Sequence, residues 1–276
     1  MRIITTIWYR EFLNYIRDRA RIISSLVMSF TMLFVFTFAL GNFDTSALGV
    51  KSIQYLLPGI IATTTFMTSI SNALSVVEDK SDGFMKEFLV SPASRTSIAI
   101  GKILGSATSA LIQGSIILAA SPLFGMKYDL FMILGLIGGM IAISLSISSI
   151  GLFIASFVKS TMGFQMIVQM LMMPMMFLSG AYVPVSLLPD FLRVIVYINP
   201  VTYAVSAFRH LALDTTNISE KVLEKMGLIL RIGNFQIKPL LSISIILVIG
   251  TIFLLLAVRS FKNVSINKVA LKRGMH

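Results

Sequence analysis

Six long apolar runs, near 22–40, 53–77, 98–124, 130–157, 161–178 and 240–258, contain no Asp, Glu or His, and Lys102 is the one basic residue inside any of them. A helix needs about 20 such residues to cross roughly 30 Å of hydrocarbon, where no water is available to satisfy an open backbone. The chain therefore reads as an all-α polytopic membrane protein with six transmembrane helices. The second, third and fourth runs are longer than a crossing needs, so they tilt, kink at Gly or continue past the bilayer. Composition agrees: 13% of residues are charged, against about 25% in soluble domains.

Orientation follows from the basic residues. With the N-terminus inside, the inner segments hold 15 of the 23 Lys and Arg. The other eight lie outside, six of them in the long 179–239 region, where length weakens the topological signal. Both termini are expected to be cytoplasmic, in a multi-pass protein of the cell membrane. The net charge of +11 is then the ordinary positive-inside pattern, and without a recognition motif it implies no nucleic acid. Arg10, Arg17, Arg19 and Arg21 interrupt the start before any apolar run, so residues 1–21 are not a secretory signal. In that stretch Ile4, Trp8, Phe12 and Tyr15 recur at steps of three or four, with Ile3, Ile7 and Ile16 beside them. This predicts an interfacial amphipathic helix that rests on anionic lipid or touches a cytoplasmic partner.

Ion-driven carriers usually need ionisable groups at membrane depth, and these runs offer only Lys102, placed where its ammonium can snorkel to water. A Na⁺ site of carbonyls and hydroxyls stays open; a proton relay does not fit. The only histidines, His210 and His276, are far apart, and no hydrolase, kinase or P-loop pattern occurs. The reading is a protein that is not an enzyme, has no catalytic or metal-binding residues and binds no cofactor of its own. Energy for uphill movement must then arrive from another chain.

Residues 78–95, EDKSDGFMKEFLVSPASR, are where it could enter. As a helix this segment sets Phe84 against Phe88 and Met85 against Leu89, while Asp82 and Lys86 pair one turn apart and Gly83 and Pro92 punctuate it. Such a helix, with Glu78 and Glu87 among its charges and Lys80 at a wet rim, can fill a partner's groove. Alternatively it is a solvated loop whose charge sets topology. A second segment, FLSGAYVPVSLLPDFLRVIVYINPVTYAVSAFRH (177–210), is broken by Pro184, Pro189 and Pro200 yet apolar over 191–198 apart from Arg193. It is predicted to dip into the membrane as helical stubs around 186–197 and 200–212, with Arg209 at headgroup level or paired to Asp190 or Asp214. It is either a seal or a gate at the exit.

The whole layout resembles the permease subunits of ABC-2 type transporters, the exporter family of daunorubicin-type drug permeases and of polysaccharide and teichoic acid exporters. The run Phe177, Leu178, Ser179, Gly180, then Pro184, Leu188, Pro189, Asn199, Pro200, Tyr203 and Arg209 is similar in order and spacing to the family's hallmark. The resemblance implies a single membrane domain over 1–276, a coupling helix at 78–95, and a re-entrant extracellular hairpin within 179–214, between spans five and six. It implies separate ABC ATPase subunits that bind ATP and Mg, and a homodimer or a pair of similar permeases in the lipid bilayer. Members commonly carry a basic residue before the glycine, a threonine after it and an acidic residue three beyond; here stand Asp82, Phe84 and Lys86. The following FLVSP, Phe88 to Pro92, fits. The exchanged signs imply exchanged signs on the ATPase groove.

Gly101/Gly105 and Gly135/Gly139 have the GxxxG spacing of close helix contacts, within one subunit or at a dimer seam. The methionines of span five, Met170, Met172, Met173, Met175 and Met176, suit lipid packing or an adaptable cargo surface. Residues 215–238, with Val222, Met226 and Ile229 on one face, predict a short exposed amphipathic helix. The sequence thus points to the permease of an ATP-driven exporter of a drug-like, lipid-like or glycan cargo. The alternatives are a membrane scaffold for a cytoplasmic complex and an ion-coupled carrier.

Overall fold

The computed structural model describes residues 2–39, 50–81, 94–213, 215, 218–232 and 235–263. It is helical throughout apart from one two-stranded ribbon among the described residues. The elements are α1 (Arg2–Arg17), α2 (Arg19–Ala39), α3 (Ser52–Ser71), α4 (Leu74–Ser81), α5 (Arg95–Ala120), α6 (Leu130–Phe157), α7 (Thr161–Leu178), α8 (Arg193–Ile198), α9 (Pro200–Ala212), α10 (Glu220–Lys225), the antiparallel strands β1 (Leu230–Ile232) and β2 (Phe235–Ile237), and α11 (Pro239–Asn263). Six of the described helical stretches are long and apolar enough to cross a membrane, counting α3 and α4 as one. The chain is a multi-pass membrane protein.

Helix α3 occupies the centre: every residue from Tyr55 to Phe66 is buried. It carries four threonines and three serines, which a buried helix tolerates only if each hydroxyl finds an acceptor. Thr63, Thr65 and Ser69 donate to the carbonyls of Gly59, Ile61 and Thr65 at 3.0, 2.8 and 2.7 Å, so these polar groups are satisfied within the helix. Around α3 pack α2, α5, α6 and α9, and α11 lies along α6. The periphery differs. In α2 only Leu33 is buried, and α7 leaves Met162, Met166, Met170 and Met173 exposed while burying Met172, as expected of surfaces wetted by lipid or by another subunit.

The second span breaks at Asn72–Ala73, where α3 gives way to α4. Gly151 of α6 sits against this break: a Cβ there would lie 2.9 Å from Ala73 Cβ and 3.3 Å from Ile70 Cα. Helix α4 then carries the span four residues beyond the expected end at 77, and its Lys80 ammonium donates to the Ala155 and Ser156 carbonyls at 2.6 and 2.8 Å. Those are among the last carbonyls of α6, which have no partner inside their own helix. Lys80 is therefore a half-buried C-terminal cap for α6 and not a residue of a wet rim.

Residues 215–238 also depart from expectation. The helix is a short one, α10. It ends before Gly227, whose φ of +71° is a left-handed conformation glycine adopts without strain, and the chain continues as the β1–β2 ribbon. Leu223, Met226, Leu228, Ile229 and Leu230 are buried rather than exposed.

Candidate functional site

Two places concentrate polar contacts between distant parts of the chain, one at each end of the bundle. At the first, α1 lies against α5. Its contacts climb both helices in the same direction: Ile7 faces Gly101, Glu11 faces Gly105, Trp8 Nε1 donates to Thr108 Oγ1 at 2.9 Å, and the Tyr15 hydroxyl donates to Gln113 Oε1. The two glycines make this possible. A Cβ at Gly101 would lie 2.8 Å from Ile7 Cβ, and one at Gly105 would collide with Glu11 Cβ. The first GxxxG is thus a seat for α1 within the subunit. Burial pushes the Tyr15 phenol up to about 12, opposed by Arg21, so it serves as a neutral donor.

Beside that seat, Lys102 is 2% exposed, and its ammonium binds Glu11 Oε1 at 2.8 Å, Asp79 Oδ2 and Ser75 Oγ, the last at 3.2 Å. The other Asp79 oxygen accepts from Arg10 Nη2 at 2.7 Å. Side chains of Glu11 and Asp79 are only 8% and 6% exposed. Lys102 therefore does not snorkel to water; it is the centre of a buried knot that joins α1, α4 and α5. Two carboxylates converge on one ammonium, and a second cation, Arg10, completes the balance at the edge. A buried charge set is tolerated only when paired this fully.

At the opposite end lies the 179–214 segment. Gly180 has φ +81°, and a Cβ there would lie 2.8 Å from Val185 Cγ2, so the tight reversal after α7 requires glycine. Pro184 is buried and precedes a 3-10 turn over Val185–Leu187; Pro189 is exposed and precedes another over Asp190–Leu192. Asn199 separates α8 from α9: its side-chain oxygen accepts from Val201 N at 3.0 Å, and its amide donates to Met175 O of α7 at 2.6 Å. Pro200 follows at the first helical position, where a missing N–H costs nothing. Tyr203 closes the α8–α9 corner through its hydroxyl on Tyr197 O, at 2.6 Å. Every residue of α9 from Val201 to Arg209 is buried, among α3, α6 and α11. Gly135 and Gly139 of α6 form its seat, under Leu211 and Phe208 at 3.3 and 3.4 Å from ideal Cβ positions.

Arg209 overturns the headgroup expectation, for it is fully buried. Its Nε donates to Tyr55 O at 3.3 Å, Nη2 to Ala181 O at 2.8 Å, and the guanidinium stacks 3.9 Å from the Tyr55 ring centroid. Its partners among the described residues are thus carbonyls and a π face, and the side chains of Asp190 and Asp214 lie outside those described. One substituent joins α9, the start of α3 and the turn after α7.

The sequence model described as ABC-2 type transporter matches residues 2–213, which takes in both of these places. The chain belongs to the ABC-2 type transporter family. It is similar to the "Inner membrane transport permease YadH" of Escherichia coli K12, 25% identical over 74% of this chain and 80% of that one. It is also similar to the "Probable multidrug ABC transporter permease YbhR" of the same organism, 29% identical over 59% of this chain and 45% of the relative. It is a transporter permease subunit.

Of the coupling residues expected in this ABC-2 chain, Asp82, Gly83, Phe84, Met85, Lys86, Glu87, Phe88, Leu89 and Pro92 lie outside the described residues. Glu78 is described, half-buried on α4 beside the knot. The residues expected at an exit gate, Gly180, Pro184, Asn199, Pro200, Tyr203 and Arg209, are brought together around α8 and α9, with Pro189 at the exposed edge. Glu11 and Asp79 were missed. A signal existed for Glu11: it falls one turn from Ile7 and from Tyr15, on the apolar stripe where a carboxylate has no business without a partner.

Proposed function

We propose that this chain is one half of an ATP-driven exporter, with both termini cytoplasmic, in which separate ATPase subunits bind the 78–95 segment and cargo leaves toward the outside past the 179–214 element. The observation that carries this reading is the Lys102 knot. It ties α1 to α4 and to α5, the two helices on either side of residues 82–93, so a displacement delivered there moves all of them together. A charged knot is a stiff joint, because separating any one member strands a buried charge. Arg209 performs the corresponding task at the exit, holding α9 to α3, so that displacement of α3 is felt there. The family match supports the ATPase partnership, and two copies of this chain or of a similar permease would complete the pathway. A lipid-like, drug-like or glycan cargo suits the apolar, Met-rich surface of α7.

The test is co-expression with a P-loop ATPase encoded beside this chain. The pair is expected to co-purify and to hydrolyse ATP, and the chain alone is expected not to. Phe88→Ala should weaken association about thirtyfold, the loss typical of a buried aromatic anchor. ATP turnover by the rigorously pure chain, or unchanged association of Phe88→Ala together with unchanged export, would overturn the reading. Stable association without any export would favour the scaffold.

A further inference from the structure

The end of the bundle that carries α8 and α9 contains a cleft of about 320 Å³, lined by Arg193 and Tyr197 of α8, Lys221, Glu224 and Lys225 of α10, Gly227, and Arg231 of β1, with apolar side chains between them. Four cationic side chains face one carboxylate, and that carboxylate is engaged by Arg231 at 3.3 Å. Lys221 and Lys225, one turn apart and exposed, make no ion pair among the described residues. A further positive group lies under the floor. Arg209 Nη1 is buried and has no hydrogen-bond partner among the described residues, and it sits 3.7 Å from where a Cβ of Gly227 would be. Gly227 lines the cleft, so the buried guanidinium stands directly behind the cleft wall.

On the orientation proposed above, this charge lies outside the positive-inside pattern. Basic residues are ordinarily depleted on the outer side of a membrane protein, yet six fall in 179–239. Arg209 is in the core and Lys238 precedes α11; the remaining four all line this one cleft. The adjoining surface is apolar. Val194, Ile195 and Ile198 of α8 are 65%, 49% and 73% exposed, as is Phe191 of the preceding turn at 76%, while Arg193 and Tyr197 turn to the cleft. A basic cleft whose wall is a helix with an apolar outer stripe matches an amphiphile with a phosphate head and hydrocarbon tails.

We propose that this cleft binds the phosphate headgroup of an anionic lipid, with Lys221, Lys225, Arg193 and Arg231 on the phosphate and the lipid's chains over Phe191, Val194 and Ile198. The site does not depend on the ATPase reading; its place on the outer face rests on the orientation proposed above. It would hold an anionic lipid beside the place where α8 meets α9, as an annular ligand or as cargo in transit.

The purified full chain is assayed by native mass spectrometry after incubation with mixed micelles of dioleoyl phosphatidylglycerol and dioleoyl phosphatidylcholine. The wild type should retain the anionic phosphatidylglycerol preferentially. Lys221→Gln with Lys225→Gln, both on exposed side chains, should reduce that preference about tenfold, whereas Lys238→Gln, outside the cleft, should leave it unchanged. Val194→Ser with Ile198→Ser should weaken lipid retention with the charges intact. Equal retention by wild type and the double glutamine variant would overturn the proposal. So would full displacement of the lipid by millimolar inorganic phosphate, since the cleft would then be a free-anion site.

Discussion

The two ends of this permease solve the same problem, seating an amphipathic helix against an apolar bundle, with opposite electrostatics. At one end α1 sits on Gly101 and Gly105, and the buried cation Lys102 is neutralised by Glu11 and Asp79. At the other α9 sits on Gly135 and Gly139, and the buried cation Arg209 has only carbonyl oxygens and an aromatic face among the described residues. An ammonium is a compact, strongly hydrated charge, and it enters a dry interior only with countercharge. A guanidinium is delocalised, weakly hydrated and able to spread its donors over several acceptors. The choice of Lys at one end and Arg at the other follows the acceptors each end offers.

The sharpest way to break this comparison is to remove each cation. Lys102→Met strands two buried carboxylates and should cost about 3–5 kcal/mol of stability, read as thermal unfolding in detergent. Combining it with Glu11→Leu and Asp79→Leu should recover most of the loss, since Arg10 is exposed enough to turn to solvent. If the triple variant is no better than the single one, the knot is not held by charge pairing.

Arg209→Met strands no carboxylate among the described residues, so it should cost less, about 2–3 kcal/mol from the lost charge-assisted bonds, and no acidic-to-neutral substitution among those residues should rescue it. Arg209→Lys should recover only part, because one ammonium cannot reach Tyr55 O and Ala181 O while stacking on the Tyr55 ring. Full recovery would mean that charge alone matters there.

The glycine seats should separate next. Gly105→Ala drives a methyl into the stem of Glu11 and should cost about 1–3 kcal/mol, with α1 becoming the first segment cut in limited proteolysis. Gly139→Ala meets the edge of the Phe208 ring at an ordinary contact distance and should cost under about 1 kcal/mol. Similar losses at both would remove the distinction between a rigid and a yielding seat. The smallest effect is expected for Tyr15→Phe, about 1 kcal/mol, because Gln113 keeps its donations to Ser25 Oγ and Ile22 O.

The amphipathic character of the N-terminal helix was legible, because Ile4, Ile7, Trp8 and Tyr15 recur at helical spacing. Its seat was half legible: the GxxxG at Gly101 announced a close contact but not with what. Lys102 was noticed and misread. Near a helix end the sequence allows either snorkelling to water or pairing, and the deciding partners lie 91 residues away at Glu11 and 23 away at Asp79. Arg209 was placed at a water boundary for the same reason, since backbone carbonyls such as Ala181 O leave no trace in a list of side chains. The β1–β2 ribbon was missed although Gly233 and Asn234, a pair typical of two-residue hairpins, stand between its strands. The helical spacing of Val222, Met226 and Ile229 was allowed to run past Gly227.

By itself, then, the sequence determined that the chain crosses a membrane, about where each crossing lies, and where proline and glycine interrupt it. Entry into hydrocarbon is decided by the run of residues along one segment, and every helix satisfies its own backbone. Only the tertiary structure decided which charges are buried and what neutralises them. The cost of a buried ion depends on groups brought to within about 3 Å of it, and those groups came from elements remote in the chain: the first helix for Lys102, the start of the second span for Arg209.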